Sequence, residues 1–257
     1  MDRDERLNRL LEAVGSRGRL SVHEAAAELE VSEATIRRDL DELASQQLLR
    51  RTRGGAAANS LAYDLPLRYK AVRRADEKQR IGLAAAKLVK AGDVVGLNGG
   101  TTAAEIGRAL ATNGDLDGDA FTVVTNSLNI AKDLAIRPQT KVVVTGGVCR
   151  AQSYELAGPL ATPVLEQISL DLVFLGVDGL DAMLGATTHH EDEGSTNRLM
   201  ALRSERVAIV TDSTKLGRRA FARICSPEEV DLLITDRDAD PHVLDALRDA
   251  GIEVMLV

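Results

Sequence analysis

The chain has 257 residues, 44% hydrophobic and only 2% aromatic, with a formal net charge of −7. This length and apolar share exclude global disorder and fit one large domain or two modest ones with real cores. Scarce aromatics argue against recognition of RNA or single strands by base stacking, and no apolar run approaches the ~20 residues that span a bilayer.

The N-terminal stretch MDRDERLNRLLEAV is charged and amphipathic, unlike a signal peptide, and predicts a cytoplasmic protein with no membrane contact. Leu7, Leu10, Leu11 and Val14 recur at helical spacing, and GSRGR, with Gly15 and Gly18, ends that helix. Ser21 offers an N-cap to a second helix carrying Ala25, Ala26 and Leu29. After a turn at Val31, Ser32 caps a third helix with Ile36, Leu40 and Leu43 on one face, and LLRRTRGGA then reads as a short β-hairpin. Residues 1–56 are thus expected to form a winged helix-turn-helix. Residues 57–75 begin small and polar, turn basic at Arg68, Lys70, Arg73 and Arg74, and read as a linker.

From residue 76 to 257 helical stretches alternate with short apolar runs: DVVGL (93–97), FTVVT (121–125), KVVVT (141–145), DLVFLGV (171–177), RVAIVT (206–211), DLLIT (231–235) and EVMLV (253–257). Continuous apolar strands bury both faces, which predicts a largely parallel sheet with helices on either side. Cys149 and Cys225 form no paired or zinc-type motif and read as cytosolic thiols.

Two tight helices in a helix-turn-helix place the start of the second in the major groove of duplex DNA. Ser32, Glu33, Ala34, Thr35, Arg37 and Arg38 occupy those first turns. Arginine there can bind guanine in two-point fashion or grip phosphate. Arg50, Arg51 and Arg53 on the hairpin suit phosphate or the minor groove. The net acidity lies mostly further along the chain, and a locally basic face on an acidic protein still binds phosphates.

In the second domain, Asn98, Gly99, Gly100, Thr101 and Thr102 follow a strand and open a helix, where amides and dipole favour an anion. Other strand ends carry Asn126 and Ser127, then Gly146, Gly147 and Arg150, then Asp178 and Asp181, then Asp212, Ser213, Thr214 and Lys215. Ligands of such sheets bind beyond the carboxyl ends of the strands. Acids there can hold sugar hydroxyls, and lysine and turn amides can hold phosphate. HHEDEGSTNRLM, from His189, admits three readings: a metal site, a helix N-terminus rich in acids, or effector recognition by His189, Glu193 and Asn197. Its spacing lacks a metal-type His-x-x-x-His pair, so no metal and no cofactor is expected.

The motifs SEATIRRDL (Ser32 to Leu40) and RRTRGGA (Arg50 to Ala56) resemble those of the DeoR-type repressor family. NGGTT, VVTNS, TGG, GVDGLD and DSTKLGRRAF are similar to further blocks of that family, so the resemblance spans nearly the whole chain. It implies a sensor domain resembling ribose-5-phosphate isomerase, a phosphorylated sugar that releases the repressor from operator DNA, and Asn98, Gly100, Thr101, Thr102, Asp178 and Lys215 lining the pocket. HHEDEGSTNRLM resembles an amino-sugar or galactitol-type subgroup. The chain departs from the family pattern at Gln47, Arg53, Asn98 and Asn197, where Gly, His, Asp and Lys respectively are common. Asn98 keeps hydrogen bonding and removes a charge.

The expected function is therefore a sugar-phosphate-responsive transcriptional repressor, a homodimer or homotetramer, with no catalytic residues. An isomerase-like enzyme carrying a DNA-binding module is the alternative, and sequence does not set the sign of regulation.

Overall fold

The computed structural model describes residues 1–46, 48–58, 67–112 and 120–257; Gln47, the 59–66 part of the expected linker, residues 113–119 and the side chains of Ser16 and Arg68 lie outside the described residues. The chain separates into two units, Met1–Arg73 and Arg74–Val257.

In the first unit, α1 (Arg3–Arg17) starts at Asp2, whose side chain accepts from the Glu5 N–H, and stops at Gly18 in the left-handed region at φ 73°. Then come β1 (Arg19–Ser21), α2 (Val22–Glu28), α3 (Glu33–Ser45), β2 (Leu49–Thr52), β3 (Gly55–Ala58) and α4 (Leu67–Val72). Ser21 and Glu24 form a capping box on α2, satisfying two first-turn donors reciprocally. The apolar faces meet in one core containing Leu7, Leu10, Leu11, Ile36, Leu40 and Leu43. The three strands form an antiparallel sheet in the order β1-β3-β2. Strands β2 and β3 are the hairpin expected from the sequence. Strand β1 was not expected, since three residues carry no readable period, and it exists only by pairing with β3. A Cβ on Gly55 would lie 2.2 Å from the Leu20 carbonyl oxygen, so this close pairing requires glycine. Within 57–75, read as a linker, α4 is helical and buries Tyr69, whose hydroxyl donates to Gln46 Oε1 at 3.0 Å.

The second unit runs α5 (Ala75–Ala86), β4 (Val94–Leu97), α6 (Thr101–Thr112), β5 (Phe121–Thr125), α7 (Leu128–Ala135), β6 (Thr140–Val144), β7 (Val148–Cys149), β8 (Leu156–Ala157), α8 (Thr162–Leu165), β9 (Leu172–Leu175), β10 (Gly179–Asp181), β11 (Gly185–Thr188), α9 (Glu191–Leu202), β12 (Val207–Val210), β13 (Ala222–Cys225), β14 (Leu232–Thr235), α10 (Pro241–Asp249) and β15 (Glu253–Leu256). The seven apolar runs picked out in the sequence become one seven-stranded sheet, β15-β14-β12-β9-β4-β5-β6, with every pairing parallel. Period-two alternation splits each strand between two cores. Leu172, Phe174, Ala208 and Val210 face the core shared with α5, α6 and α7, while Val173, Leu175, Val207 and Ile209 face that of α8, α9 and α10. Two small antiparallel sheets, β10-β11-β13 and β7-β8, were not expected and decorate the carboxyl end of the large one.

Strand β4 enters at the centre. The chain then fills β5 and β6 on one side and β9, β12, β14 and β15 on the other. Successive connections therefore diverge between β4 and β9, the kind of switch point beside whose carboxyl ends open α/β sheets place a ligand crevice. Among the described residues no helix is long and apolar enough to cross a membrane.

The first unit also holds a nearly dry ion pair, Arg6 Nε to Asp39 Oδ2 at 2.6 Å, with the two side chains 13% and 4% exposed. Removing one partner strands the other charge. Asp39→Ala is expected to cost the first unit about 3 kcal/mol, read as a lowered midpoint in urea denaturation of the full chain.

Candidate functional site

The helix α3 begins where Ser32 Oγ accepts the Thr35 N–H at 3.2 Å. Ile36, Asp39, Leu40 and Leu43 face inward, which leaves Ala34, Arg37 and Arg38 exposed on the outer face. Glu33 pairs with Arg37 at 2.5 Å and lies 3.4 Å from His23, so the first turn of α3 carries a matched pair beside Arg38. On the wing, Arg50 and Arg53 are exposed, whereas Arg51 is half-buried and held by Asp41 at 2.7 Å and by the Gly55 carbonyl. Arg51 thus braces the hairpin against α3, while Arg50 and Arg53 stay on its outside. Arg38 at the helix start and Arg50 and Arg53 on the wing are thus exposed arginines with no acidic partner among the described residues, the residue type that grips phosphate or reads guanine.

In the second unit the crevice between β4 and β9 is bridged by Asn98, which is almost fully buried. Its Nδ2 donates to the Gly176 carbonyl at 2.9 Å and its Oδ1 accepts the Gly176 N–H at 2.7 Å. The Asn98 side chain therefore buckles two strand ends together. Gly99 and Gly100 follow, with Gly100 at φ 108°, and α6 starts at Thr101, half-buried, with Thr102 buried behind it. First-turn amides of a helix have no partner within it, so this turn presents donors to the crevice.

The remaining expected residues reach the same end of the sheet by different routes. Asp178 accepts from Thr188 Oγ1 at 3.1 Å and from the His189 N–H at 3.2 Å. Lys215 donates to the Val177 carbonyl at 2.6 Å and lies 3.5 Å from Asp178 Oδ1. Arg150 and Ser153 both donate to Glu193 Oε1, at 2.9 and 2.6 Å. Ser127 donates to Asn129 Oδ1 at 2.6 Å and bridges Glu155 in antiparallel fashion. Asn126 and Asn197 are buried, each with an Oδ1 that meets no donor. Gly147 stands apart: at φ 127° it packs on β8, where a Cβ would come within 2.7 Å of the Ala157 nitrogen.

The sequence reading missed Glu155. Its carboxyl accepts from Asn126 Nδ2 at 3.2 Å and from the Gly99 N–H, and it lies flat on Gly99. A Cβ on Gly99 would sit 2.1 to 2.4 Å from its Cγ, Cδ and Oε1. Glycine at 99 is thus required by a side chain 56 positions further on, not only by a tight turn. Burial pushes the Glu155 carboxyl up to about 8, and neighbouring Glu193 and Asp178 push the same way against the Asn126 and Gly99 hydrogen bonds. Nothing in the stretch AQSYELAG marks this acid, because it is carried inward by backbone pairing with distant segments, the bridge to Ser127 and the Leu156 N–H to Asn126 carbonyl bond among them.

Gly99→Ala is accordingly expected to lose about 1–3 kcal/mol through overpacking. Adding Glu155→Ala should return much of that loss, since the clashing atoms are gone. A double-mutant cycle by thermal or urea unfolding measures the coupling; strict additivity would show that the two residues do not compete for one space.

Two family signatures match the chain: the DeoR-like helix-turn-helix domain over residues 6–61 and the DeoR C terminal sensor domain over residues 73–237. The chain is 36% identical over 252 residues to the HTH-type transcriptional regulator GlpR of Haloferax volcanii, covering 98% of this chain and 96% of that protein. It is 31% identical over 256 residues to the glycerol-3-phosphate regulon repressor of Escherichia coli strain K12, with 100% of both covered. A ribose 5-phosphate isomerase A structure from Methanocaldococcus jannaschii overlaps 55% of this chain and 54% of its own at 20% identity, with a TM-score of 0.41. The matched signatures account for both units, and the chain belongs to the DeoR family of transcriptional regulators, with an N-terminal DNA-binding helix-turn-helix and a C-terminal sensor domain.

Proposed function

We propose that this regulator represses a sugar-catabolism operon and leaves its operator when a phosphorylated sugar or polyol binds the crevice between β4 and β9. The observation that carries the effector reading is the Gly99–Thr102 turn. It lies at the topological switch of a parallel sheet and at the start of a 12-residue helix, and Asn98 ties it to the strand end next to which Lys215 donates. Turn amides, a helix N-terminus and a lysine are the groups that hold a phosphate dianion. The name of the Escherichia coli relative, a glycerol-3-phosphate regulon repressor, supports a phosphate ester as the class.

Asn98, Gly99, Gly100, Thr101, Thr102 and Lys215 take the phosphate end. Asn126, Ser127, Arg150, Asp178, His189, Glu193 and Asn197 surround the remainder of the ligand, with Gly147 shaping the wall. Residues 1–56 bind duplex operator DNA through Ser32, Glu33, Ala34, Thr35, Arg37 and Arg38 in the major groove and Arg50 and Arg53 on the backbone, with Arg51, expected from the sequence to join them, holding the wing to α3. Residues 57–75 join this part to the sensor of residues 76–257. The protein binds its ligand without turning it over, works in the cytoplasm, and is a homodimer or homotetramer, because paired half-sites match a symmetric pair of recognition helices.

Arg37→Ala and Arg38→Ala are expected to weaken operator binding by roughly 1–3 kcal/mol each where the residue reads a base. Fluorescence anisotropy on operator and scrambled duplexes checks this, and unchanged affinity and sequence preference in both variants would remove α3 from the interface.

On the sensor side, a phosphosugar should raise the melting temperature, lower operator affinity by about 1–3 kcal/mol, and be weakened by operator DNA to the same degree. Lys215→Ala and Thr101→Val should blunt that response with operator binding retained. Stabilisation by free sugars alone, with no phosphosugar active, would sink the phosphate reading.

A further inference from the structure

The division between the two units falls between consecutive arginines, Arg73 and Arg74. Each is tied into its own unit. Arg73 lies 3.1 Å from the Glu12 carboxylate of α1. Arg74 directs its guanidinium at three acids of the sensor, Asp236 at 2.9 Å, Asp238 at 2.6 Å and Glu77 at 3.3 Å.

Local rules do not place an arginine here. Arg74 stands at the N-cap of α5, yet its side chain makes no capping bond, and its backbone is left-handed at φ 52° and ψ 43°. N-caps are normally extended and carry Ser, Thr, Asp or Asn. A left-handed arginine is strained, because its Cβ crowds the following carbonyl oxygen, and such strain persists only where surrounding contacts over-determine it. The contact that does so is Asp236. Its side chain is 0% exposed, against 68% for Asp238, so the Asp236 pair is the one shielded from solvent.

Asp236 follows β14 directly, and its carboxylate is divided between two places. Oδ1 accepts from Arg74 and from the Asp238 N–H at 3.0 Å, while Oδ2 accepts the Ser213 N–H at 2.7 Å. Ser213 opens the single 3-10 turn Ser213–Lys215, which follows β12, the parallel neighbour of β14. That turn is closed on itself: the Lys215 N–H donates to the Asp212 carbonyl and the Leu216 N–H to the Ser213 carbonyl, both at 3.2 Å. At its far end the Lys215 ammonium donates to the Val177 carbonyl. One short turn and one carboxylate therefore lie between the Lys215 ammonium and the Arg74 guanidinium.

We propose that Arg74 and Asp236 are positioning residues for the regulatory response: Asp236 carries a displacement of the Ser213–Lys215 turn to Arg74, where the chain enters the sensor from the DNA-binding unit. The proposal rests on the reading of Lys215 as a ligand of the effector phosphate. A phosphate that draws the ammonium off the Val177 carbonyl shifts the turn that carries it. The two oxygens of a carboxylate are fixed to one carbon, so Oδ2 cannot follow Ser213 without swinging Oδ1 away from Arg74. Arg74 then loses the contact that holds its strained backbone and relaxes toward the ordinary regions. The first bond of α5, from the Lys78 N–H to the Arg74 carbonyl at 3.0 Å, loosens with it. Arg74 thus has two arrangements, clasped and relaxed, whose balance the ligands bias, and coupling between sites requires such an element. The Asp238 side chain touches the same guanidinium but holds nothing of the Ser213 turn, so it takes no part in the relay.

The test uses the full chain and whichever of sn-glycerol 3-phosphate and the 6-phosphates of glucose, galactose and fructose most raises its melting temperature. Operator affinity is measured by fluorescence anisotropy with and without that ester at saturation. In the unaltered protein the ester is expected to weaken operator binding about tenfold. Arg74→Gln should bind the ester and the ester-free operator within about threefold of the unaltered protein, yet cut the ester's effect on operator binding to about twofold or less. Asp238→Asn should keep the full response. Hydrogen exchange adds a measurement that needs no variant: the ester should speed exchange of the Lys78 amide in the unaltered chain, whereas in Arg74→Gln that amide should exchange fast with or without it. A full response in Arg74→Gln, an equal loss in Asp238→Asn, or Lys78 exchange that the ester leaves unchanged overturns the relay while the phosphate reading stands. Loss of ester binding itself in Arg74→Gln also overturns it, since the residue would then support the pocket and not the response. If neither an ester nor inorganic phosphate binds the unaltered protein, or an ester binds without moving operator affinity, the effector reading fails and the relay with it.

Discussion

Two hydrogen bonds between the Asn98 amide and the Gly176 backbone hold together the place where this sensor sheet divides. A parallel sheet wound outward from its middle leaves its central strands, here β4 and β9, without a shared connection at their carboxyl ends. The chain must still bring both ends into one plane, and it does so with a side chain that donates and accepts at once. An aspartate at position 98 could accept the Gly176 N–H but could not donate to its carbonyl while ionised. A Cβ on Gly176 would stand 3.2 Å from the Gly99 carbonyl oxygen, so the closeness of the two strand ends also depends on glycine there. The Gly99–Thr102 turn, the Lys215 contact at Val177 and the hydrogen bonds of Asp178 all lie next to this clasp.

The second constraint is the carboxyl of Glu155 lying on Gly99. It is an expensive arrangement, since a buried acid sits near two others. The cost is carried by the surrounding backbone pairing, which leaves the Glu155 side chain no way out to solvent. The three acids are not grouped in sequence: they come from three separate strand or helix ends, and the other two have side-chain or backbone donors of their own, Glu193 from Arg150 and Ser153, Asp178 from Thr188 and the His189 N–H.

The DNA-binding unit solves a different problem. Its core of leucines and isoleucine is closed by the Arg6–Asp39 pair and by Arg51 spanning β2, β3 and α3, so part of its positive charge is spent on structure. What remains outward, on α3 and at the wing tip, is a small basic edge on a chain of net charge −7. Attraction to a phosphate backbone acts over about a Debye length, ~8 Å at physiological salt, so the charges on this edge count for more than the net charge of the chain.

Local patterns were enough to read most of the architecture from sequence. Helical spacing at Leu7 to Val14, the caps at Ser21 and Ser32, and seven apolar runs each depend on a few neighbouring residues, and all became the elements they suggested. The DeoR motifs did the same for the family. Strand β1 and the small sheets on the carboxyl side escaped, because two to four residues carry no period until a distant partner pairs with them. Glu155 escaped for the same reason at the level of chemistry. Its meaning lies in Gly99, Asn126 and Glu193, which are 56, 29 and 38 positions away in the chain. Sequence by itself determined which segments would be helix, strand and turn, since those follow from steric and hydrophobic periodicity over a few residues. Only the tertiary structure decided which strand ends meet, which amide is used up as a clasp and which acid is driven into the crevice, because burial and charge pairing are set by contacts between segments that the linear order keeps apart.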